Sequence, residues 1–452
     1  MTHWSEDAVF YHIYPLGYCG APRTNDFASP PVPRLDEITR RIDEIADLGC
    51  TAVYLGPLFE SSTHGYDTAD YRTVDRRLGD RDDLVRLVEG FRAAGIRVVL
   101  DGVFHHVGRD FGPFQALRTG GTAGPYVDWF RGVDFGRNNR FGDGFAYDDW
   151  EGHDDLVALN PGCPDLRTHL FDAVAWMIDD LGIDGLRLDV AYAMDRRFLS
   201  DLAGFCRSKR ADFWLMGEMI HGDYREIAGP DLLDSATNYE AYKGLYSSLN
   251  DVNYHEIAWS LNRQFGRDGL YRDRNLYNFV DNHDVDRAAS ILDDPEHLVP
   301  LYALLFTMPG IPSVYAGSEW RAEGRRTPRD DSALRPPAAS VPRTDDGLRR
   351  QIRLLTKLRR NHEALRRGDY RQLHVSHEQL VFERRSPGER LVIALNAGPD
   401  GAAVKIPDTP RLVNVLDPDE AVEAGEALPI PRRGWSIWES GDSPFASSQS
   451  SG

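Results

Sequence analysis

The sequence predicts an α/β protein: a (β/α)8 TIM barrel, a small subdomain inserted after its third strand, and a C-terminal antiparallel β-sandwich domain. Three features lead to that fold. Short apolar runs alternate with segments of helical period eight times over, which argues for a closed parallel sheet. Charged and polar residues stand at the ends of those runs, where such barrels keep their chemistry. After residue 366 the pattern changes to short strands separated by turn residues.

Ala8–Pro15 is the first apolar run, and Leu35, Ile38, Ile42, Ile45 and Leu48 then recur at helical spacing. Cys50–Phe59 is the second strand. Asp82–Ala94 is a helix with Leu84, Val85, Leu87, Val88 and Phe91 inward, followed by the third strand, Gly95–Phe104. The helix Leu166–Leu181 leads into the fourth strand, Gly182–Val190, and Phe213–Met219 is the fifth. Leu232–Asn238 is a weaker sixth, Leu276–Val280 the seventh and Gly310–Tyr315 the eighth. Val107–Asp155 is too long for an ordinary βα loop and reads as the inserted subdomain. The helix Leu348–Leu365 precedes short strands at Leu380–Phe382, Leu391–Leu395, Leu412–Leu416 and Ser436–Trp438. The expected domains are therefore 1–106 with 156–366 (barrel), 107–155 (subdomain) and 367–440 (β domain). Residues 441–452 are Ser-rich and are expected to form a disordered tail.

Composition narrows the function. The chain has 452 residues, 41% of them hydrophobic, enough for several domains and a large core. Acidic residues outnumber basic ones, 71 to 52, for a net charge of −19. That argues against nucleic acid as a partner and suits a neutral or cationic ligand. The four Cys match neither a metal motif nor a disulfide framework. The most apolar long stretch, Leu301–Gly317, is broken by Pro309, Gly310 and Pro312, so no membrane partner is expected. Met1–Asp7 shows no secretion signal, and a cytoplasmic protein is the expectation. No Gly-rich phosphate loop opens a helix, which weighs against a dehydrogenase or phosphate-binding barrel.

The chemistry centres on Gly185–Ala191. Strand side chains alternate faces, so Arg187 and Asp189 point the same way, and the Arg favours an ionised Asp. Such a carboxylate is a candidate nucleophile, although an isolated Arg-x-Asp is usually a structural ion pair. Its company argues otherwise. His105 and His106 follow the third strand, Glu218 ends the fifth, and Asn282, His283 and Asp284 end the seventh.

Four segments in order, Asp101–His106, Gly185–Ala191, Gly217–His221 and Phe279–Asp284, resemble the signature regions of glycoside hydrolase family 13, the α-amylase family. His64–Tyr71 and Gly310–Tyr315 are also similar to segments of that family. The resemblance implies that Asp189 is the nucleophile, Glu218 the general acid/base and Asp284 the carboxylate that stabilises the transition state. It implies that Arg187 holds Asp189 ionised, that His106 and His283 bond hydroxyls of the reacting glucose, and that Tyr66 stacks on its ring. Apolar neighbours Met216, Met219 and Ile220 would raise Glu218. The subdomain aromatics Phe111, Trp129, Phe135, Phe141 and Trp150 would line a sugar groove or fill the subdomain's own core.

Many members of the family hold a structural calcium. Here His105 stands in place of an Asn ligand, Ala158 in place of an Asp, and Tyr192-Ala193 in place of a Lys-His pair. Calcium wants oxygen ligands, so no cofactor and no metal are expected. The resemblance favours intracellular maltodextrin- or cyclomaltodextrin-processing members. It implies an α-glucan oligosaccharide as partner and hydrolysis of α-1,4 bonds through a glycosyl-enzyme intermediate. The same residues would serve a transglycosylase or isomerase, whether trehalose synthase-like, sucrose-cleaving or α-1,6-acting. A non-catalytic carbohydrate-binding member would require loss of a carboxylate, and all three are present.

Overall fold

The computed structural model describes residues 3–440 apart from 329 and 408, so the expected tail lies outside the described residues. The barrel strands are β1 (Phe10–Ile13), β2 (Ala52–Leu55), β3 (Arg97–Gly102), β4 (Gly185–Leu188), β5 (Trp214–Gly217), β6 (Ser235–Ala236), β7 (Tyr277–Asn278) and β8 (Ile311–Tyr315). All pair parallel in the order β7-β8-β1-β2-β3-β4-β5-β6. A parallel bridge between Thr237 and Tyr277 closes the ring.

β6 and β7 are the strands that depart from expectation, with two residues each. Buried side chains reinforce the short backbone ladder at this seam, where the Asn238 N–H donates to the Tyr277 carbonyl (2.9 Å). Asn238 Nδ2 donates to Asn278 Oδ1 (2.8 Å) and to Gln264 Oε1 (2.9 Å), and Ser235 Oγ donates to the Asn275 carbonyl (2.7 Å). Polar residues in those runs blunted the apolar signal.

Alternation along the strands divides the core in two. Phe10, Tyr54, Val99, Trp214, Met216 and Tyr277 fill the barrel interior, while Val9, Tyr11, Val53, Leu100, Leu186 and Leu215 pack outward in the main core. Arg187 lies beside Asp101 in the β3–β4 register, so both side chains share one face.

Two expected helices are interrupted. The first is split into Asp36–Thr39 and Ile42–Leu48, which still bury Ile38, Ile42, Ile45 and Leu48. The last divides at His362 into Gly347–Asn361 and Glu363–Arg367. The helix Pro164–Trp176 runs on through a π-helical turn, Met177–Leu181, and stops at Gly182 (φ +71°). Glycine adopts that left-handed conformation without the usual side-chain penalty.

The segment between β3 and β4 carries a three-stranded antiparallel sheet of His106–Gly108, Asp149–Trp150 and His153–Ala158. Phe111 and Trp129 are buried with Phe114 and Phe130 in its core, whereas Phe141 is exposed beneath Arg109.

The C-terminal domain contains β9 (Asp369–Val375), β10 (Gln379–Ser386), β11 (Glu389–Asn396), β12 (Ala402–Lys405), β13 (Leu412–Asn414), β14 (Ala421–Val422), β15 (Ala427–Ile430) and β16 (Gly434–Ser440). They form sheets ordered β9-β10-β11-β16-β13-β14 and β12-β15. Val392 and Trp438 pack within the sandwich, while Ile393 and Ile437 face the main core. Coverage of both faces explains why β11 reads as a continuous apolar run. The four strands beyond those expected from sequence, β9, β12, β14 and β15, have exposed or polar positions that dilute the signal.

Candidate active site

The site lies at the C-terminal ends of the barrel strands and is built around one guanidinium. Arg187 lies one residue before the end of β4, on the inside of the barrel, and is 2% exposed. Its Nη1 donates to Asp189 Oδ1 at 2.7 Å and to Asp101 Oδ1 at 3.0 Å, and its Nη2 lies 2.6 Å from Glu218 Oε1. All three carboxylates are buried.

Local backbone aims these groups. Asp189 follows β4, and its N–H donates to the Gly102 carbonyl; Glu218 follows β5, and its N–H donates to the Leu188 carbonyl. Both residues therefore remain tied to the barrel ladder. Val190 turns into the left-handed region at φ +51°, a strained setting for a β-branched residue, and its N–H donates to Glu218 Oε2 at 3.1 Å. The strained turn links the Asp189 segment to Glu218.

Asp284 stands across the site, its side chain one-third exposed. Its Oδ1 accepts from Arg335 Nη2 at 3.0 Å, and His283 Nε2 lies 3.0 Å from its Oδ2. Tyr66 hydroxyl contacts the same His283 nitrogen and donates to Asp101 Oδ2 at 3.1 Å. The rings of Tyr14, His283 and Tyr66 stack in series, at 15° and 13° between planes. His106 approaches Asp189 with Nε2 at 3.8 Å from Oδ2, and that nitrogen has no hydrogen-bond partner. Trp150 from the inserted sheet stacks on the His106 ring.

The electrostatics divide the carboxyls. Burial pushes Asp189 well above the usual carboxylate range and Glu218 above it, despite the pull of Arg187. Arg187 pulls Asp189 down, as the sequence leads one to expect, but burial outweighs that pull, because one cation serves three carboxylates in a dry site. Asp284 moves the other way: although the cleft partly desolvates it, His283 and Arg335 hold it well below the usual range. Burial pushes His106 well below its ordinary value, so its ring is neutral. The arrangement can retain a proton between Asp189 and Glu218 while keeping Asp284 charged.

Asp189, Glu218, Asp284, Arg187, His106, His283 and Tyr66 all converge on this cleft. His105 instead turns toward a cavity of about 780 Å³ that it lines with Arg131, Asn160, Arg167, Arg197 and Asp201. The oxygen donors Asn160, Asp195 and Asp201 share that space with His105 and three guanidiniums. His221 packs its ring near that of Tyr192.

Sequence reasoning missed several members. Asp101 was visible in its motif, but its role against Arg187 depends on the register of two strands. Tyr54 donates to Asp101 at 2.7 Å from β2. Tyr14 and Arg335 come from loops with no periodic signal, and the Arg335 guanidinium lies 4.3 Å over the Tyr14 ring.

A family model described as "Alpha amylase, catalytic domain" matches residues 32–353. A cyclomaltodextrinase from Geobacillus thermopakistaniensis is 29% identical over 450 residues, covering 94% of this chain and 75% of the relative. Neopullulanase 2 from Thermoactinomyces vulgaris is 28% identical over 423 residues, covering 87% and 70%. The solved ligand-free cyclic α-maltosyl-(1→6)-maltose hydrolase from Arthrobacter globiformis matches with a TM-score of 0.82 at 26% identity, covering 97% of this chain and 100% of that one.

Proposed function

This chain belongs to the α-amylase family and is a glycoside hydrolase; on that premise we propose that it cleaves α-1,4 bonds of short α-glucans, linear maltooligosaccharides and cyclomaltodextrins, with retention of configuration. The observation that carries this reading is the single Arg187 guanidinium contacting Asp189 and Glu218 at once. Two carboxyls on one guanidinium suit the separation of about 5–5.5 Å used by retaining enzymes, not the roughly 6.5–9.5 Å of inverting ones.

In the reactive state of the pair the shared proton is on Glu218; in the first step, ionised Asp189 attacks the anomeric carbon, and Glu218 gives that proton to the departing glycosidic oxygen. The sugar C–O bond breaks as the ester to Asp189 forms. Asp284, kept charged, faces the positive charge that develops on the ring. In the second step, Glu218 takes a proton from water, the water oxygen bonds to the anomeric carbon, and the ester is released. His106 Nε2, lacking a protein partner, is available to a glucose hydroxyl. His283 already contacts Asp284 and Tyr66, so it also serves to orient the cleft.

Chromatography of products from maltose, maltotriose, maltopentaose, β-cyclodextrin, sucrose, trehalose and isomaltose tests the substrate assignment, with Asp189→Asn as control. Shorter maltooligosaccharides that are absent from the control support it. Rearranged disaccharides or longer oligomers would move the protein to the transglycosylase or isomerase class, in which another acceptor replaces water.

We also propose that no calcium is needed. The three guanidiniums that share the space beside His105 support this, and thermal unfolding with a chelator should leave the midpoint unchanged. A large drop would contradict it.

A further inference from the structure

At the N-terminal ends of β7 and β8, opposite the cleft, the barrel meets the C-terminal domain around two buried arginines. Arg359 is 0% and Arg384 is 1% exposed. Among the described residues, neither has a carboxylate within ion-pair distance. Arg384 donates from Nε and Nη2 to the Gly368 carbonyl (3.2 and 2.9 Å) and from Nη1 to the Thr307 carbonyl (2.6 Å). Arg359 donates to the carbonyls of Phe306, Leu365 and Gly310, and its Nε has no partner. Several of these carbonyls close helices Leu298–Thr307 and Glu363–Arg367, so they carry partial negative charge. A helix end supplies only part of a counter-charge, and a buried cation without one is costly. Burial pushes both guanidiniums down to about 9, in keeping with that shortage.

A cavity of about 60 Å³ adjoins Arg384, lined also by Arg272, Arg274, Arg366, Arg367 and Tyr370 and by one acid, Asp369, which is paired with Arg272. The other four arginines have acidic partners: Asp369, Asp273, Asp7 and Glu6 respectively. Arg384 does not. A guanidinium has five N–H donors, and the bonds above use three, leaving one on each Nη. Tyr370 is 4% exposed, and its hydroxyl has no hydrogen-bond partner. Arg384, with spare donors, and Tyr370, with an unpartnered hydroxyl, thus line the same small space. A water needs about 10–15 Å³ of such volume, so this one admits a small ion and excludes a sugar.

We propose that this cavity binds a small inorganic anion, of chloride to phosphate size, held by the spare donors of Arg384 and the Tyr370 hydroxyl. The anion supplies the missing counter-charge and fastens the barrel to the β domain. The site is independent of the catalytic cleft and of the reaction assigned to it.

The test is calorimetric unfolding of the full chain in sodium gluconate, with chloride or inorganic phosphate exchanged in separately at constant ionic strength. The expected result is a saturable rise of about 2–4 °C in the midpoint with at least one of them. Tyr370→Phe, which removes one donor and keeps the ring, should retain activity and require at least threefold more anion for the half-maximal rise. Absence of a saturable rise with both anions, or an identical titration in the variant, would overturn the proposal.

Discussion

The two ends of the barrel bury arginine in opposite company. At the C-terminal end Arg187 is surrounded by Asp101, Asp189 and Glu218. At the other end Arg359 and Arg384 rest on carbonyls. A surplus of buried negative charge lifts carboxyl proton affinities and leaves a proton to donate. A surplus of buried positive charge has no such outlet within the carbonyl set and calls for a counter-ion. The same residue type therefore supports catalysis at one end and domain docking at the other, according to what faces it.

The largest effects should come from disturbing the acidic end. Asp189→Asn should lower kcat on maltotriose by about 10⁴-fold or more, since the nucleophile is lost. Glu218→Gln should cost about 10²–10⁴-fold, the usual range for an acid/base group. Arg335→Gln removes a charged hydrogen bond to Asp284 and should lower kcat/KM by about 10–100-fold. Steady-state kinetics on purified variants reads all three. Equal activity in Asp189→Asn and the unmodified protein would detach the carboxyl cluster from the chemistry.

The pH profile sharpens the contrast. Asp189 must be ionised, so its upward shift moves the acid limb of kcat/KM above the ordinary carboxyl range. Glu218 must keep its proton, so its upward shift moves the alkaline limb up as well. The two limbs report the coupled pair, not either residue alone. An acid limb at the ordinary Asp value would mean that Arg187 outweighs burial.

Stability should change least and in the opposite sense to activity. A carboxyl raised in the folded state is favoured while protonated, so its cost appears as pH rises through the folded value. Asp189→Asn and Glu218→Gln should therefore raise the thermal midpoint at pH 7 by about 2–4 °C, and the gain should vanish in acid. Scanning calorimetry at both pH values measures this. A lower midpoint at pH 7 would show that pairing with Arg187 dominates.

How much of this was legible depends on where each interaction is encoded. Asp189, Glu218 and Asp284 each end an apolar run, so a local pattern exposes them. β6 and β7 were harder, because Asn238, Asn278 and Ser235 hold the seam through side chains. Arg335 and Tyr14 meet only through loop conformation. Arg384 sits on β10 beside Glu383 and Arg385 and reads as part of a solvated strand. Its burial follows from the domain interface, which no local period reports.

Trapping the intermediate would test the cleft most directly. The protein would be incubated with a 5-fluoro-α-glucosyl fluoride, digested, and its peptides weighed by mass spectrometry. A fluoroglucosyl mass on the peptide carrying Asp189, absent from Asp189→Asn, is the predicted result. A label on another residue, or none while the enzyme continues to hydrolyse maltotriose, would contradict Asp189 as the nucleophile.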